Sequence, residues 1–175
     1  LTFKENDKLL NKQMVNFIEQ YSADEYLIVI NGILYHFNIK DLSIKEIKLG
    51  AQHHWVSFLG RVENGQIYVG TMAGEVFINQ NHIANFIPFY SFASNRVTTI
   101  SHIHNNIWIG FDNMNESGGI VVVGSDRKLV KSYRKEYHGD KHIPSNRVRK
   151  IENRKNGEIW IGSAEGLAVI DSIGI

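Results

Sequence analysis

Residues 156–162 read Asn-Gly-Glu-Ile-Trp-Ile-Gly, and altered copies of this stretch recur along the chain. Residues 106–110 read Asn-Ile-Trp-Ile-Gly, and residues 64–70 read Asn-Gly-Gln-Ile-Tyr-Val-Gly. The aromatic residue of the three copies recurs after 40 and then after 52 residues. A period of about 40 residues with several short β-rich segments per unit is typical of β-propeller blades.

The residues around each copy complete a four-stranded unit. A β-branched segment such as 147–151 precedes the copy, and segments such as 120–123 and 128–133 follow the copy in their unit. The Asn-Gly pairs at 64–65 and 156–157 predict tight hairpin turns with positive φ at both turn positions. The sequence therefore predicts an all-β chain of about four four-stranded antiparallel blades spanning residues 1–175, with repeats at roughly 7–49, 50–90, 91–138 and 139–175.

The number of strands leaves the architecture of the whole propeller open. The last unit supplies three strands, and residues 1–6 are interpreted as an additional strand. That strand could close a four-bladed ring, complete the last blade across a dimer, or belong to a preceding blade. An open arc of four blades exposes two apolar faces. We therefore expect a segment of a larger propeller, whose partners are the remaining blades, with self-association as a further possibility.

Composition narrows the range of functions. The 175 residues carry a formal net charge of +1 and no cysteine. Near neutrality argues against nucleic acid as a partner, and no apolar run is long enough to span a membrane. Any membrane attachment is expected through segments outside this sequence. The chain begins at Leu1 without a signal-like stretch, which is typical of a processed or excised piece.

Motifs for catalysis and metal binding find little support. The sequence has neither a Gly-x-Ser-x-Gly nucleophile motif nor a His-Glu-x-x-His zinc motif. His102 and His104 have the spacing of two ligands on one strand face, but a zinc site needs further ligands. We expect no enzyme activity in this segment, no metal and no cofactor. Trp108 and Trp160 recur at one register and are predicted to fill the spaces between blades.

One family resemblance covers the whole chain and is strongest at its end. Residues 144–148 read Pro-Ser-Asn-Arg-Val, residues 156–163 contain Trp-Ile-Gly-Ser, and residues 165–167 read Glu-Gly-Leu. This pattern resembles the two-component regulator propeller repeat. The resemblance implies the extracytoplasmic, periplasmic part of an inner-membrane sensor, connected to a histidine kinase, a hybrid kinase or a diguanylate cyclase. It implies a non-catalytic domain that senses a small-molecule or saccharide ligand.

Two alternatives to a sensor stay open at this point. Some propeller enzymes, such as streptogramin lyases or polysaccharide-acting enzymes, have similar blades. A third possibility is a scaffold that binds another protein on one propeller face.

Topology predicts which residues could contact a ligand. In a propeller, the loops that precede the first strands and the loops between second and third strands share one face. Extra loop length in the third repeat falls on this face, and such loops often carry function. The candidate ligand-binding residues are His53, His54, Arg96, Asp112, Asn113, Glu116, Arg147 and Glu165.

Overall fold

The computed structural model describes residues 4–5, 8–9, 13–50, 54–91, 96–112, 118–135 and 143–171. Within these ranges the chain forms β-strands and turns and no helix. The strands form four successive antiparallel sheets and one short hairpin. The fold is all-β, as the sequence predicts.

Each sheet follows the order of its strands in the sequence. The first sheet contains β3 (Val15–Gln20), β4 (Glu25–Ile30), β5 (Ile33–Asn38) and β6 (Ile44–Glu46). The second contains β7 (Val56–Arg61), β8 (Ile67–Thr71), β9 (Glu75–Asn79) and β10 (Phe86–Ser91). The third contains β11 (Arg96–Ile103), β12 (Asn106–Asp112), β13 (Gly119–Val123) and β14 (Leu129–Tyr133). The fourth contains β15 (Val148–Asn153), β16 (Glu158–Ser163) and β17 (Gly166–Asp171).

The N-terminal hairpin differs from the prediction for residues 1–6. Its strands, β1 (Lys4–Glu5) and β2 (Lys8–Leu9), pair with each other and not with the last sheet. Pairing with the next segment of chain brings together residues that are close in sequence, so it costs little loop-closure entropy. The described part of the last sheet therefore has three strands.

The second strands of the second and third sheets are buried on both faces because sheets pack on both of their sides. Every residue of Ile67–Thr71 is buried, and so are the five residues 107–111. One buried apolar cluster lies between the first and second sheets, another between the second and third, and another between the third and fourth. The sheets do not close into a ring within the described residues, which gives the arrangement of a partial propeller.

Each first strand contains a β-bulge close to its start. The pairing register shifts by one residue at Asn16, Ser57, Thr98 and Arg149, one in each sheet. A bulge leaves one residue without a cross-strand partner and redirects its side chain. All four bulge residues are polar, and each contacts a neighbouring strand or turn, as described below.

Two of the bulge residues join adjacent sheets. The Ser57 hydroxyl donates to the carbonyl of Val97 at 2.7 Å, and the Thr98 hydroxyl donates to the carbonyl of Val148 at 2.8 Å. Both acceptors lie in the first strand of the next sheet. These equivalent bonds hold consecutive first strands side by side.

The glycine that ends each repeated motif permits this close approach. A Cβ atom at Gly70 would lie 2.4 Å from Val97 Cγ1, and one at Gly110 would lie 2.8 Å from Val148 Cγ1. At Gly162, in the last sheet, the nearest neighbour would be 3.9 Å away. The glycine is therefore a packing requirement only where a following sheet is in contact.

The Asn-Gly turns differ in detail from the prediction. Gly65 and Gly157 have φ of 82° and 85°, but Asn64 and Asn156 do not have positive φ. The amide of Gly65 donates to the carbonyl of Val62, so the turn spans one more residue than a two-residue hairpin. Two-residue turns with positive φ at both positions occur instead at residues 31–32 and 104–105.

The prediction that both tryptophans are buried is right for Trp108 and wrong for Trp160. Trp108 is 0% exposed and stacks on Tyr133 with ring centroids 5.3 Å apart. Trp160 is only partly buried, and its indole N–H donates to Glu158 Oε2 at 2.9 Å. The reason is position, because Trp160 lies on the outer face of the last described sheet. Exposed Leu167 and Val169 belong to the adjacent strand of that sheet.

We predict that Gly110→Ala destabilises the protein by about 1–3 kcal/mol, because the added methyl group overlaps the side chains of Thr99 and Val148. Gly162→Ala is the matched control at the same repeat position and should cost much less. Urea denaturation of both variants measures the difference. Equal losses of stability would show that the glycine serves the backbone conformation and not the contact between sheets.

We also predict that Trp108→Ala lowers the free energy of unfolding by about 3–5 kcal/mol, because a large buried ring leaves a cavity. Trp160→Ala should cost clearly less, since its ring is partly in solvent. Chemical denaturation followed by circular dichroism tests both variants. A loss at Trp160 as large as that at Trp108 would contradict the assignment of Trp160 to an open face.

Candidate functional site

The first strands begin and the second strands end on one face of the arc, which we call the upper face. Antiparallel pairing brings Arg96 opposite Asp112 in the third sheet. In the fourth sheet it brings Val148 opposite Ser163. The loops and turns at these ends therefore lie side by side along the upper face.

An ion cluster joins the third and fourth sheets on this face. Arg147 Nε donates to Asp112 Oδ1 at 3.0 Å, and Arg149 Nη1 donates to Asp112 Oδ2 at 2.6 Å. The Asp112 side chain is only 10% exposed, whereas the two arginines are 34% and 46% exposed. The backbones of Asp112 and Arg147 also form an isolated β-bridge. The largely buried Asp112 carboxylate thus binds two guanidinium groups that are partly exposed to solvent.

The position of Arg149 follows from the bulge in the last sheet. Residue 149 lies at the register shift between Val148 and Lys150, so it has no cross-strand partner in its own sheet. The corresponding hydroxyls of Ser57 and Thr98 reach the next sheet, whereas Arg149 reaches back to the third sheet. The bulge therefore sets Arg149 beside Asp112.

Arg96 gives this cluster a surplus of positive charge. It is exposed and lies opposite Asp112 in the strand register. No ion pair of Arg96 occurs among the described residues. Two arginines thus pair with one carboxylate, and a third lies opposite it in the strand register, an arrangement that suits an anionic group on a ligand. We call Arg96, Asp112, Arg147 and Arg149 the arginine cluster.

Glu165 belongs to a neighbouring group of polar contacts. Its carboxylate accepts hydrogen bonds from Lys135 Nζ at 2.5 Å and from the Ser145 hydroxyl at 3.1 Å. These bonds, first that of Lys135 and then that of Ser145, hold the pKa of Glu165 below its ordinary value. The carboxyl is therefore ionised at neutral pH and paired with a lysine.

The His54 side chain contacts two residues of β9 in the second sheet. Its Nδ1 pairs with the Glu75 carboxylate, and its ring meets Phe77 edge-on with centroids 5.3 Å apart. The side chain is 9% exposed. The His54 side chain is therefore mostly buried and held by Glu75 and Phe77.

The structure thus brings together some of the predicted rim residues and not others. Asp112 and Arg147 form a direct pair with Arg96 beside them, while Glu165 and His54 have separate partners. Asn146 Oδ1, next to Arg147, accepts a hydrogen bond from the backbone N–H of Lys135 at 2.6 Å. The predicted residues His53, Asn113 and Glu116 lie outside the described residues.

Two features of the upper face were missed by the sequence analysis. Arg149 is not among the rim residues predicted from the sequence, because the bulge that turns its side chain towards Asp112 leaves no mark in the sequence pattern. Trp55 is also not among the predicted rim residues; it lies just before β7 and is 58% exposed. Its position outside the register shared by Trp108 and Trp160 is a signal that sequence alone contains.

The described residues offer no side-chain cluster suited to a metal ion. No group of three or more His, Asp or Glu side chains in these ranges is arranged to hold a metal ion. His104 lies in a turn with φ of 48°, so it does not share a strand face with His102. None of the described segments forms an apolar helix long enough to cross a membrane.

Comparison with solved structures identifies the fold class as a β-propeller. The chain is similar to the extracellular domain of a protein described as a hybrid two-component system from B. thetaiotaomicron, with a TM-score of 0.68 and 20% identity. The match covers 89% of this chain and 20% of that chain. A second such extracellular domain from B. thetaiotaomicron has a TM-score of 0.76 and 15% identity, covering 91% of this chain and 22% of that one.

An enzyme also shares the fold. Virginiamycin B lyase from Staphylococcus aureus has a TM-score of 0.60 and 13% identity, covering 90% of this chain and 55% of the lyase. No protein-family model matches the chain, and no curated protein matches it. The chain therefore has a propeller fold and spans about a fifth of the sensor domains that it resembles.

We predict that Asp112→Asn destabilises the protein by about 1–3 kcal/mol, since it removes a largely buried carboxylate from two guanidinium groups. Glu165→Gln should have a much smaller effect, because its pair with Lys135 is exposed to solvent. Thermal and urea denaturation at low ionic strength measure both variants. A larger loss for the Glu165 variant would contradict the proposed role of Asp112 at the junction between sheets.

Proposed function

We propose that the chain is part of a ligand-sensing propeller in the extracytoplasmic region of a bacterial membrane-bound signalling receptor. In this proposal the segment itself is not catalytic. A ligand that prefers one arrangement of the blades shifts the receptor population, and an output domain elsewhere in the protein responds. The output domain is a histidine kinase or a diguanylate cyclase.

The arginine cluster is the observation that carries the binding proposal. Its carboxylate pairs with Arg147 and Arg149 but not with Arg96, and the exposed guanidinium groups of Arg96 and Arg149 have capacity for further hydrogen bonds. Guanidinium groups bind carboxylate, sulfate and phosphate oxygens in a bidentate way. The proposed ligand is a small molecule or saccharide with an anionic group.

The structural similarity to the extracellular domains of two hybrid two-component systems supports an extracytoplasmic location. Those proteins are 20% and 15% identical to this chain. Identity at this level shows a shared fold, so the extracytoplasmic location is part of the proposal. The chain covers about a fifth of either sensor domain. We therefore propose the remaining blades of the parent receptor as its partners, and a periplasmic location. The first and fourth sheets carry exposed apolar side chains that suit contact with such blades or with a second copy. These are Ile18 in the first sheet and Leu167 and Val169 in the fourth.

A variant of the arginine cluster tests the proposed ligand-sensing function. Cells that produce the full-length receptor are exposed to a panel of neutral and acidic oligosaccharides while the signal output is recorded. We expect Arg96→Ala to raise the concentration needed for half-maximal response by about tenfold, because one charge-assisted contact is lost. Arg96 suits this test since its side chain forms no ion pair with the described residues.

Lys128→Ala and Lys131→Ala are matched controls that remove an exposed positive charge from the outer part of the third sheet. They should leave the response unchanged at equal protein level. Equal responses of the Arg96 variant and these controls would place the ligand elsewhere. An alkaline phosphatase fusion that is inactive when joined next to the chain would contradict the extracytoplasmic location.

A further inference from the structure

The most exposed tryptophan of the chain lies on the upper face. Trp55 is 58% exposed, whereas Trp108 is 0% exposed and Trp160 is partly buried. Large aromatic side chains are usually buried, so an exposed ring on a structured face is informative. Trp55 directly precedes the first strand of the second sheet.

The ring is held flat against the first sheet by a glycine. A Cβ atom at Gly32 would lie 2.5 Å from Trp55 Cε2 and 2.6 Å from both Cδ2 and Nε1. Near-equal distances to three adjacent ring atoms place the glycine over the face of the indole and not at its edge. One face of Trp55 therefore covers Gly32, and the other face is open to solvent.

Backbone hydrogen bonds fix this arrangement. The amide of Val56 donates to the carbonyl of Gly32 at 2.8 Å, which joins the residue after Trp55 to the turn beneath the ring. The amide of Met72 donates to the carbonyl of Trp55, also at 2.8 Å. The tryptophan is thus tied on both sides, to the first sheet and to the end of β8. These bonds hold the backbone from which the ring extends over Gly32.

Side-chain amides surround the Trp55 ring on the first sheet. Asn16, the bulge residue of the first sheet, accepts the amide of Gly32 through Oδ1 at 3.2 Å. Asn31 Nδ2 donates to Gln13 Oε1 at 3.2 Å. All three amide side chains belong to exposed residues. Each has donor or acceptor groups left over after these bonds.

An open indole face with amides at its border matches the chemistry of a sugar ring. The C–H groups on one side of a pyranose pack on an aromatic face, and its hydroxyls need neighbours that both donate and accept hydrogen bonds. The indole N–H of Trp55 adds one more donor, and it has no hydrogen-bond partner among the described residues. Met14 and Met72, which are 62% and 45% exposed, add adaptable apolar surface nearby.

We infer that Trp55 is the stacking platform of a saccharide-binding subsite, with Asn16, Asn31 and Gln13 contacting the hydroxyl groups. The inference rests on the proposed ligand-sensing function and names the ligand class and a contact residue. The subsite lies on the same face as the arginine cluster, and Ser57 in β7 bonds to Val97 next to Arg96.

The test measures binding of the purified protein to an array of cello-, xylo-, manno- and galacto-oligosaccharides together with uronate-containing and sulfated oligosaccharides. We expect at least one of these to bind, and isothermal titration then gives its Kd. Trp55→Ala should weaken that Kd by about tenfold or more, as for other central aromatic contacts. Trp55→Phe should retain most of the affinity because it keeps a flat ring.

Two further variants separate stacking from a general effect on the fold. Leu129→Ala is the matched control, since Leu129 is also 58% exposed but lies on the outer strand of the third sheet. It should leave the Kd unchanged. Gly32→Ala keeps the indole but pushes it away from the turn, and it should weaken binding in the fraction that circular dichroism shows to be folded.

Several results would overturn the inference. These are no binding to any array saccharide by the wild-type protein, equal Kd values for the wild-type and Trp55→Ala proteins, or selection of an apolar peptide at Trp55 instead of a saccharide. The sensing function is tested separately. Saccharide binding through Trp55 without signal output would refute the sensor alone, whereas loss of output in Arg96→Ala with normal output in Trp55→Ala would refute the platform alone.

Discussion

The bulge at the start of every first strand is the constraint on which the rest of the arrangement depends. One additional residue in each first strand turns a polar side chain out of its own sheet at Asn16, Ser57, Thr98 and Arg149. Ser57 and Thr98 then bond to the next sheet, where the glycines at 70 and 110 permit close approach. This contact aligns the upper ends of adjacent sheets. Asp112 can reach Arg147 and Arg149 because Gly110 and Val148 are already in contact.

Most of the fold was predictable because the repeat is a local signal. The Ile-Trp-Ile-Gly register identified the central strands, and burial of Ile109 and Ile161 agrees with that prediction. Trp160 has the same register as Trp108, yet its ring is partly in solvent. Register gives the face on which a side chain lies. It does not tell whether another sheet covers that face, which depends on distant parts of the chain.

The candidate site was only partly predictable for a related reason. Topology placed Asp112 and Arg147 on one face, and the structure shows them in direct contact. Arg149 was missed because simple alternation does not account for a bulge, which changes the direction of the side chain. Trp55 was missed because the placement of its ring depends on Gly32, a residue in another sheet. Contacts between repeats are not encoded in the period of the repeat itself.

The hydroxyl bonds between first strands also bear on how the arc resists aggregation. Strand edges with unpaired carbonyl groups can recruit a foreign strand and start intermolecular β-sheet formation. Ser57, Thr98 and Ser101 direct their hydroxyls to carbonyls of the following first strand, the last of these to Ile151 at 2.8 Å. Acceptors that another chain could use are thereby occupied within the molecule. Thr98→Val keeps the shape of the side chain but leaves the carbonyl of Val148 without this hydrogen bond, so the tendency to self-associate is expected to rise along with any loss of folding stability.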